Sequence, residues 1–193
     1  MSHLKISFLE KRDVSDAAKV ISEAMLKVPL HIAIFQGQGE KERKLIEEMF
    51  FELLSDLPGI TFLARMDRKI IGVMRMKSCE GRKVPDTHSQ TEDVNNLNWR
   101  KSFWHREWAR NDPLDQHWHL GPVGVLPSHQ GTGIGTELLS RFCLEVDACC
   151  APAYLETDTD KNVHFYERFD FQVTGESEIF GINNRYMWRN PVL

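Results

Sequence analysis

Apolar residues along the chain follow two periods, and their succession predicts strand, helix, helix, strand, strand in the first half. Lys5 to Glu10 is short and part-alternating through Ile6 and Phe8, which reads as a first strand. Val14, Ala17, Ala18, Ile21, Ala24 and Met25 then recur at helical spacing, with Asp13 expected as the cap, Asp16 favourable in the first turn and Pro29 after the end. Beyond a loop holding Gly37 and Gly39, the residues Leu45, Ile46, Met49, Phe50, Leu53, Leu54 and Leu57 form a wide helical stripe stopped by Pro58-Gly59. Ile60 to Met66 and Ile70 to Met76 are β-prone and joined by Asp67-Arg68-Lys69, a hairpin with Gly72 at a bulge.

The stretch 78–115 breaks this compact pattern. Gly81, Pro85 and the polar run from Asp86 to Asn98 predict a mobile loop, and Trp99, Phe103, Trp104 and Trp108 then predict a short helix ending before Pro113. Four of the five tryptophans lie between Trp99 and Trp118, so the insertion is rich in rings. Three readings stay open: Trp104 and Trp108 wall an acceptor site as part of a lid, the rings pack the inserted helix onto the body, or they form a homodimer interface.

The second half predicts a strand over Gln116 to Val125 and a helix through Cys149. A strand over Tyr154 to Thr157, a helix over Lys161 to Phe169 and two terminal strands, Phe171 to Glu176 and Arg185 to Arg189, follow. Between the first of these strands and its helix stands a turn with Gly131, Gly133 and Gly135. Missing side chains let backbone N–H groups approach a ligand, and the opening helical turn adds unpaired donors and a positive dipole end, a cradle for a phosphate. A dinucleotide fingerprint wants Gly or Ala where Thr136 stands, and an ATP loop wants a Lys that is missing.

Gln130-x-x-Gly133-x-Gly135 resembles the Gln/Arg-x-x-Gly-x-Gly/Ala signature of GCN5-related N-acetyltransferases (GNATs). The segment from Tyr154 to Phe171, with Leu155-Glu156-Thr157, Asn162 and Phe165-Tyr166-Glu167-Arg168, is similar to the next strand and helix of small-molecule acetyltransferases of the puromycin N-acetyltransferase type. The two segments cover about a quarter of the chain. The resemblance implies an α/β (α+β) GNAT fold: one domain over 1–193 with a mixed, mostly antiparallel sheet flanked by helices, the insertion lying between the third and fourth strands. It implies an acetyl-CoA-dependent N-acetyltransferase acting on a small-molecule primary amine, with a peptide or protein amine, or an inactive CoA-binding sensor, as alternatives.

By the same resemblance Val123, Gly124 and Val125 present backbone groups to the pantetheine arm and thioester. The turn Gln130, Gly131, Thr132, Gly133, Ile134, Gly135 and Thr136 holds the pyrophosphate. Thr132 stands where relatives often carry a cation, so amides and dipole would do more of the binding. Asn162 and Tyr166, four residues apart on one helix face, are assigned to the cofactor, with Tyr166 as general acid; an ordinary tyrosine, with a pKa near 10, is protonated at neutral pH. His119 is the first choice of base with His117 behind it, the two sharing one strand face, and Glu156 is expected to act through water or bind the cationic amine; His117 and Glu156 are also placed in the acceptor site. Asp170 stands where the family normally has Gly, so that turn is read as a place for rearrangement.

Composition narrows this little further. A net charge of −4 argues against non-specific nucleic-acid binding. No run approaches the ~18 apolar residues of a membrane span and the start lacks a secretory leader, so a cytoplasmic protein without membrane partners is expected. Cys79, Cys143, Cys149 and Cys150 are not at zinc spacings; four reduced thiols and no metal are expected.

Overall fold

The computed structural model describes residues 3–56, 58–82 and 93–192. In chain order it contains β1 (Lys5–Phe8), α1 (Val14–Met25), α2 (Pro29–Phe35), α3 (Glu40–Asp56), β2 (Ile60–Met66), β3 (Lys69–Cys79) and α4 (Leu97–Asn111). Then come β4 (His117–Val125), α5 (Ile134–Ala148), β5 (Ala153–Thr157), α6 (Asp160–Glu167), β6 (Gln172–Ile179) and β7 (Ile182–Arg189). The strands form one sheet in the order β1-β2-β3-β4-β5-β7-β6. Every neighbouring pair is antiparallel except β4 and β5, giving the mixed, mostly antiparallel sheet expected.

Alternation on β2 and β3 sorts side chains onto two faces. Leu63 and Val73 face a core with α1, α2, α3 and α4, including Ile21, Ile34, Ile46, Phe50 and Trp104. Phe62, Ala64, Met74 and Met76 face a second core with α5, including Leu138, Leu139 and Phe142. Gly72 lets α5 press against the sheet, since an added Cβ would lie 3.1 Å from Ile134 and 3.2 Å from Leu138. The bulge falls beside this glycine: Ala64 faces Gly72 and Arg65 faces Ile70, leaving Ile71 extra. Asp67 and Arg68 close the hairpin with positive φ at both positions, 48° and 70°.

Several expectations are corrected. Asp13 does not cap α1 with its side chain; that carboxylate accepts from the Glu10 N–H at 3.2 Å and pairs with Arg65 at 2.6 Å. Pro29 does not merely follow a helix; it opens α2, where its fixed φ and missing N–H suit the first turn. The inserted helix is longer than the ring pattern implied, because Asn96 starts it early by accepting from the Asn98 and Trp99 N–H groups. Asp170 keeps the left-handed turn, φ 65°, so no rearrangement follows from the missing glycine. Leu57 and residues 83–92, with Pro85 and most of the polar run, lie outside the described residues.

One feature of the sheet positions the site. Parallel pairing of β4 with β5 is confined to Trp118 with Ala153 and His119 with Tyr154, whereas β4 stays paired to β3 through Val125. From Leu120 onward β4 therefore has one edge free.

Candidate active site

A cavity of about 1160 Å³ opens along that free edge, within the range of ligand sites or slightly above it. Its floor is Leu120 to Val125, one side is Asn162 and Tyr166 on α6, and Gln130 stands at its phosphate-side rim. The opposite end runs under α1, α2 and α3 to the inserted helix α4, where Trp104 and Trp108 line it. His119 and Glu156 sit between these ends and also border a smaller neighbouring cavity of about 280 Å³.

At the cofactor end, Val123 and Val125 are half-buried and Gly124 is buried. The absence of a side chain at Gly124 admits α1, since a Cβ there would meet the Ala24 Cβ at 3.0 Å. The Gln130 side-chain amide donates to the Val125 carbonyl at 3.0 Å, tying the loop to the strand end. Gly131 and Gly133 adopt φ of 76° and 90°, and a Cβ on either meets no protein atom within 4 Å, so the space before them is open. The first intrahelical bond of α5 runs from Glu137 N–H to the Gly133 carbonyl at 3.0 Å, which leaves the amides of Ile134, Gly135 and Thr136 ahead of it. The Ile134 side chain is core and the Thr132 hydroxyl donates back to the His129 carbonyl at 2.7 Å, so the turn offers amides rather than side chains. Open space, amides and a helix N-terminus fit a pyrophosphate group.

At the centre, His119 Nε2 lies 2.8 Å from Glu156 Oε2, and the two side chains are 14% and 6% exposed. A carboxylate brings no proton, so Nε2 carries the hydrogen and the lone pair falls on Nδ1, which has no hydrogen-bond partner. Burial raises the Tyr166 pKa, and nearby Asp158 adds to the effect, so its hydroxyl holds its proton firmly. Burial also raises Asp158, whose carboxylate accepts from the Leu30 N–H at 2.7 Å.

His117, expected beside His119, lines neither cavity. Its side chain is fully buried between Tyr154 and Trp188, with Nδ1 2.9 Å from the Asp115 carbonyl and Nε2 3.6 Å from Asp112 Oδ1. Against the opposing cost of burial, these partners push its pKa up to about 10, so it is a structural imidazolium and a poor base at neutral pH. A strand's period of two puts His117 and His119 on the same face, but His117 meets Asp115 and Asp112 whereas His119 meets Glu156.

The inserted rings pack the helix onto the body, and two of them border the cavity. Trp99 and Trp104 are 8% and 4% exposed and pack within the chain, while Trp104 and Trp108 also line the cavity. Sequence reasoning missed His31, on α2, which lines the same end at 6% exposure with neither ring nitrogen hydrogen-bonded. Burial alone takes its pKa down to about 4. Reading Pro29 as a first-turn residue, followed by the apolar pair Leu30 and Ile34, was the signal that would have found this helix. Arg75, buried in the cavity wall with its guanidinium donating to the Pro58 carbonyl, and Asp158 also carried no motif of their own. Among the described residues, no group of three or more His, Cys, Asp or Glu is arranged to hold a metal ion.

Residues 29–171 match the acetyltransferase (GNAT) family. Solved structures share the fold at low identity. The histone acetyltransferase HPA2 and related acetyltransferase of Corynebacterium glutamicum superposes with a TM-score of 0.69 at 18% identity, over 100% of this chain and 98% of that one. A GNAT-family acetyltransferase from Brucella melitensis, in complex with acetyl-CoA, gives 0.58 at 17%, over 97% and 88%. The ribosomal-protein-S18-alanine N-acetyltransferase of Escherichia coli gives 0.61 at 14%, over 99% and 96%.

Proposed function

The chain belongs to the acetyltransferase (GNAT) family and is an acetyl-CoA-dependent N-acetyltransferase; from that premise we propose that it passes the acetyl group directly to a primary amine of a small molecule. The observation that supports this reading is the cavity itself, which runs from the free edge of β4 to an end walled in part by Trp104 and Trp108.

Acetyl-CoA supplies an activated acetyl thioester when bound. In this reading the backbone of Val123, Gly124 and Val125 receives the pantetheine arm, the Gln130 to Thr136 turn takes the pyrophosphate on its amides, and Asn162 lies along the arm on α6. The backbone groups of β4 cost no reorganisation when charge develops on the thioester oxygen, because the fold already fixes them. Glu156 attracts the cationic amine, and the His119–Glu156 pair takes its proton directly or through a water. Tyr166 holds a proton at its hydroxyl oxygen for the departing sulfur. With each group held in place, no covalent enzyme intermediate is needed.

The Leu155-Glu156-Thr157 and Phe165-Tyr166-Glu167-Arg168 segments support reading the enzyme as similar to puromycin N-acetyltransferase-like members, and we read the chain as one catalytic domain, supported by its single sheet. A cytoplasmic setting accords with four unpaired cysteines, and no described helix is long and apolar enough to cross a membrane. The deciding experiment measures thiol release from acetyl-CoA with a panel of small amines against peptides bearing free N-terminal or lysine amines. Small amines are expected to be turned over at least 10-fold more efficiently, a difference of about 1.4 kcal/mol in transition-state binding. Preference for peptides reverses the acceptor reading, and no turnover with any amine leaves a CoA-binding sensor.

A further inference from the structure

The two cavities meet at one point. Lys77, His105, Trp108, His119 and Glu156 line both of them, so the proposed place of transfer opens on one side to the large cavity and on the other to the small one. Lys77 of β3 stands directly opposite His119 of β4 in the antiparallel ladder, and residues so paired project side by side on one face of the sheet. A cation therefore adjoins the His119–Glu156 pair. Among the described residues Lys77 has no ion-pair partner, while the Glu156 carboxylate is held by His119 at 2.8 Å.

The small cavity stays positive beyond the junction. Arg82, whose guanidinium also donates to the Arg110 carbonyl, lines it, and its two acids are already committed, Asp112 to the His117 imidazolium and Glu156 to His119. His105, held below its ordinary pKa by burial and by Lys101, adds no charge at neutral pH. The far end of the large cavity differs, because Glu52 and Asp56 on α3 stand against Lys101 on α4 and neither sign prevails. An alkylammonium drawn to Glu156 is thus brought beside a second cation, and like charges repel more strongly as water leaves the site. An acceptor whose amine-bearing carbon also carries a carboxylate answers both signs at once. Its ammonium faces Glu156, its carboxylate turns into the small cavity, and its remaining substituent enters the large one.

We propose that Lys77 is a specificity-determining residue that binds the carboxylate of an α-amino acid acceptor, with Arg82 as a further cation, so that the small cavity is a carboxylate subsite. This rests on the reading of the large cavity as an amine acceptor site. It narrows the small-molecule amine to one with a carboxylate on the same carbon.

The standard amino acids with a primary amine and their carboxamides are the probes, since each pair keeps the amine on the same carbon and differs by one negative charge. Binding of each to the full chain in the presence of CoA is followed by calorimetry, so turnover is not needed. At least one amino acid is expected to bind about 10-fold more tightly than its carboxamide, a difference of about 1.4 kcal/mol. Lys77→Met should bring that ratio close to one, Lys77→Arg should keep most of it and Lys77→Glu should reverse it, with CoA affinity unchanged in all three. Lys77 is exposed, and thermal melts check that each variant folds. Equal binding within every pair, binding of no amino acid, or a preference that survives Lys77→Met overturns the proposal. If Lys77→Met does not fold, the wild-type ratio and Lys77→Glu decide. Lys77-dependent binding of an amino acid with no acetylation of any amine would sink the transferase reading and leave this one standing; acetylation of amines lacking a carboxylate as readily as amino acids would do the reverse.

Discussion

His119 Nε2 lies 2.8 Å from Glu156 Oε2: His119 ends the pairing of β4 with β5, and Glu156 stands two residues beyond its partner Tyr154. The contact ties the last paired residue of β4 to the part of β5 that has left it, so it sets the geometry of the cavity centre as well as the tautomer of the imidazole. Glu156→Gln removes the charge and keeps the shape. It should lower kcat by about 10²-fold or more, the usual scale for an acid–base group, with the melting shift induced by acetyl-CoA intact. An unchanged kcat would remove the pair from catalysis.

Tyr166→Phe keeps the packing against Phe165 and Phe171 and deletes one hydroxyl. Turnover should fall about 10²-fold while CoA affinity persists. Because burial raises the pKa of this tyrosine, wild-type activity should show no alkaline loss from Tyr166 below its ordinary value near 10. A loss near neutrality that disappears in Tyr166→Phe would contradict the firmly protonated phenol.

Gly133→Asp places a β-carbon on a backbone with φ 90° and a carboxylate in front of the open amides. Strain of about 1–2 kcal/mol and charge repulsion act together. Acetyl-CoA should no longer raise the melting temperature of this variant, whereas Gly181→Asp, equally left-handed at φ 76° in the far β6-β7 turn, should keep the shift. Retention of the shift in Gly133→Asp would place the phosphates elsewhere.

Trp104 is 4% exposed, so it belongs to the core as much as to the cavity. Trp104→Ala should cost about 3–5 kcal/mol and harm both substrates' kinetics through loss of fold. Trp108, half-buried and nearer to His119, gives the cleaner separation: Trp108→Ala should raise the acceptor KM selectively. Paired melts and two-substrate kinetics check both, and a uniform defect in Trp108→Ala would make that ring structural.

His31 also makes stability depend on pH. Its folded pKa, about 4, lies below the ordinary 6.5, so the unfolded chain binds the extra proton between these values. Stability from the neutral ring is present above about pH 6.5 and is lost as pH falls toward 4, by about 3 kcal/mol in all. His31→Phe should flatten the melting curve across that window relative to wild type. Parallel curves would mean that His31 takes up its proton without opposing the fold.

Much of this was legible from residues because two periods and one glycine turn are local signals. The stripe from Leu45 to Leu54 and the pattern after Gly133 each specify a face, and the mixed, mostly antiparallel sheet was legible through the resemblance to acetyltransferases. What stayed hidden depends on distant contacts. His117 and His119 look equivalent on a strand of period two, and only Asp112, at the end of α4, makes one of them a buried cation. His31 carried no motif; Phe50 and Trp104, far away in sequence, give its ring its dry surroundings. Asp170 shows the reverse case, a local expectation of disturbance that the surrounding turn absorbs.

Arg189, near the end of the chain and 4% exposed, joins the far ends of the two helices that frame the cofactor end. Its guanidinium holds the Asp147 carboxylate of α5 at 2.5 and 3.0 Å, and its Nε donates to the Phe169 carbonyl just beyond α6 at 3.0 Å. The opposite ends of those helices carry the phosphate turn and the Asn162 side of the cavity. The arrangement has the form of a caliper, with two jaws and a pivot set away from the cavity that fixes their spacing. In the proposed reading, discrimination between intact acetyl-CoA and donors lacking the nucleotide half would depend in part on Arg189, at a position where no ligand contact would direct attention.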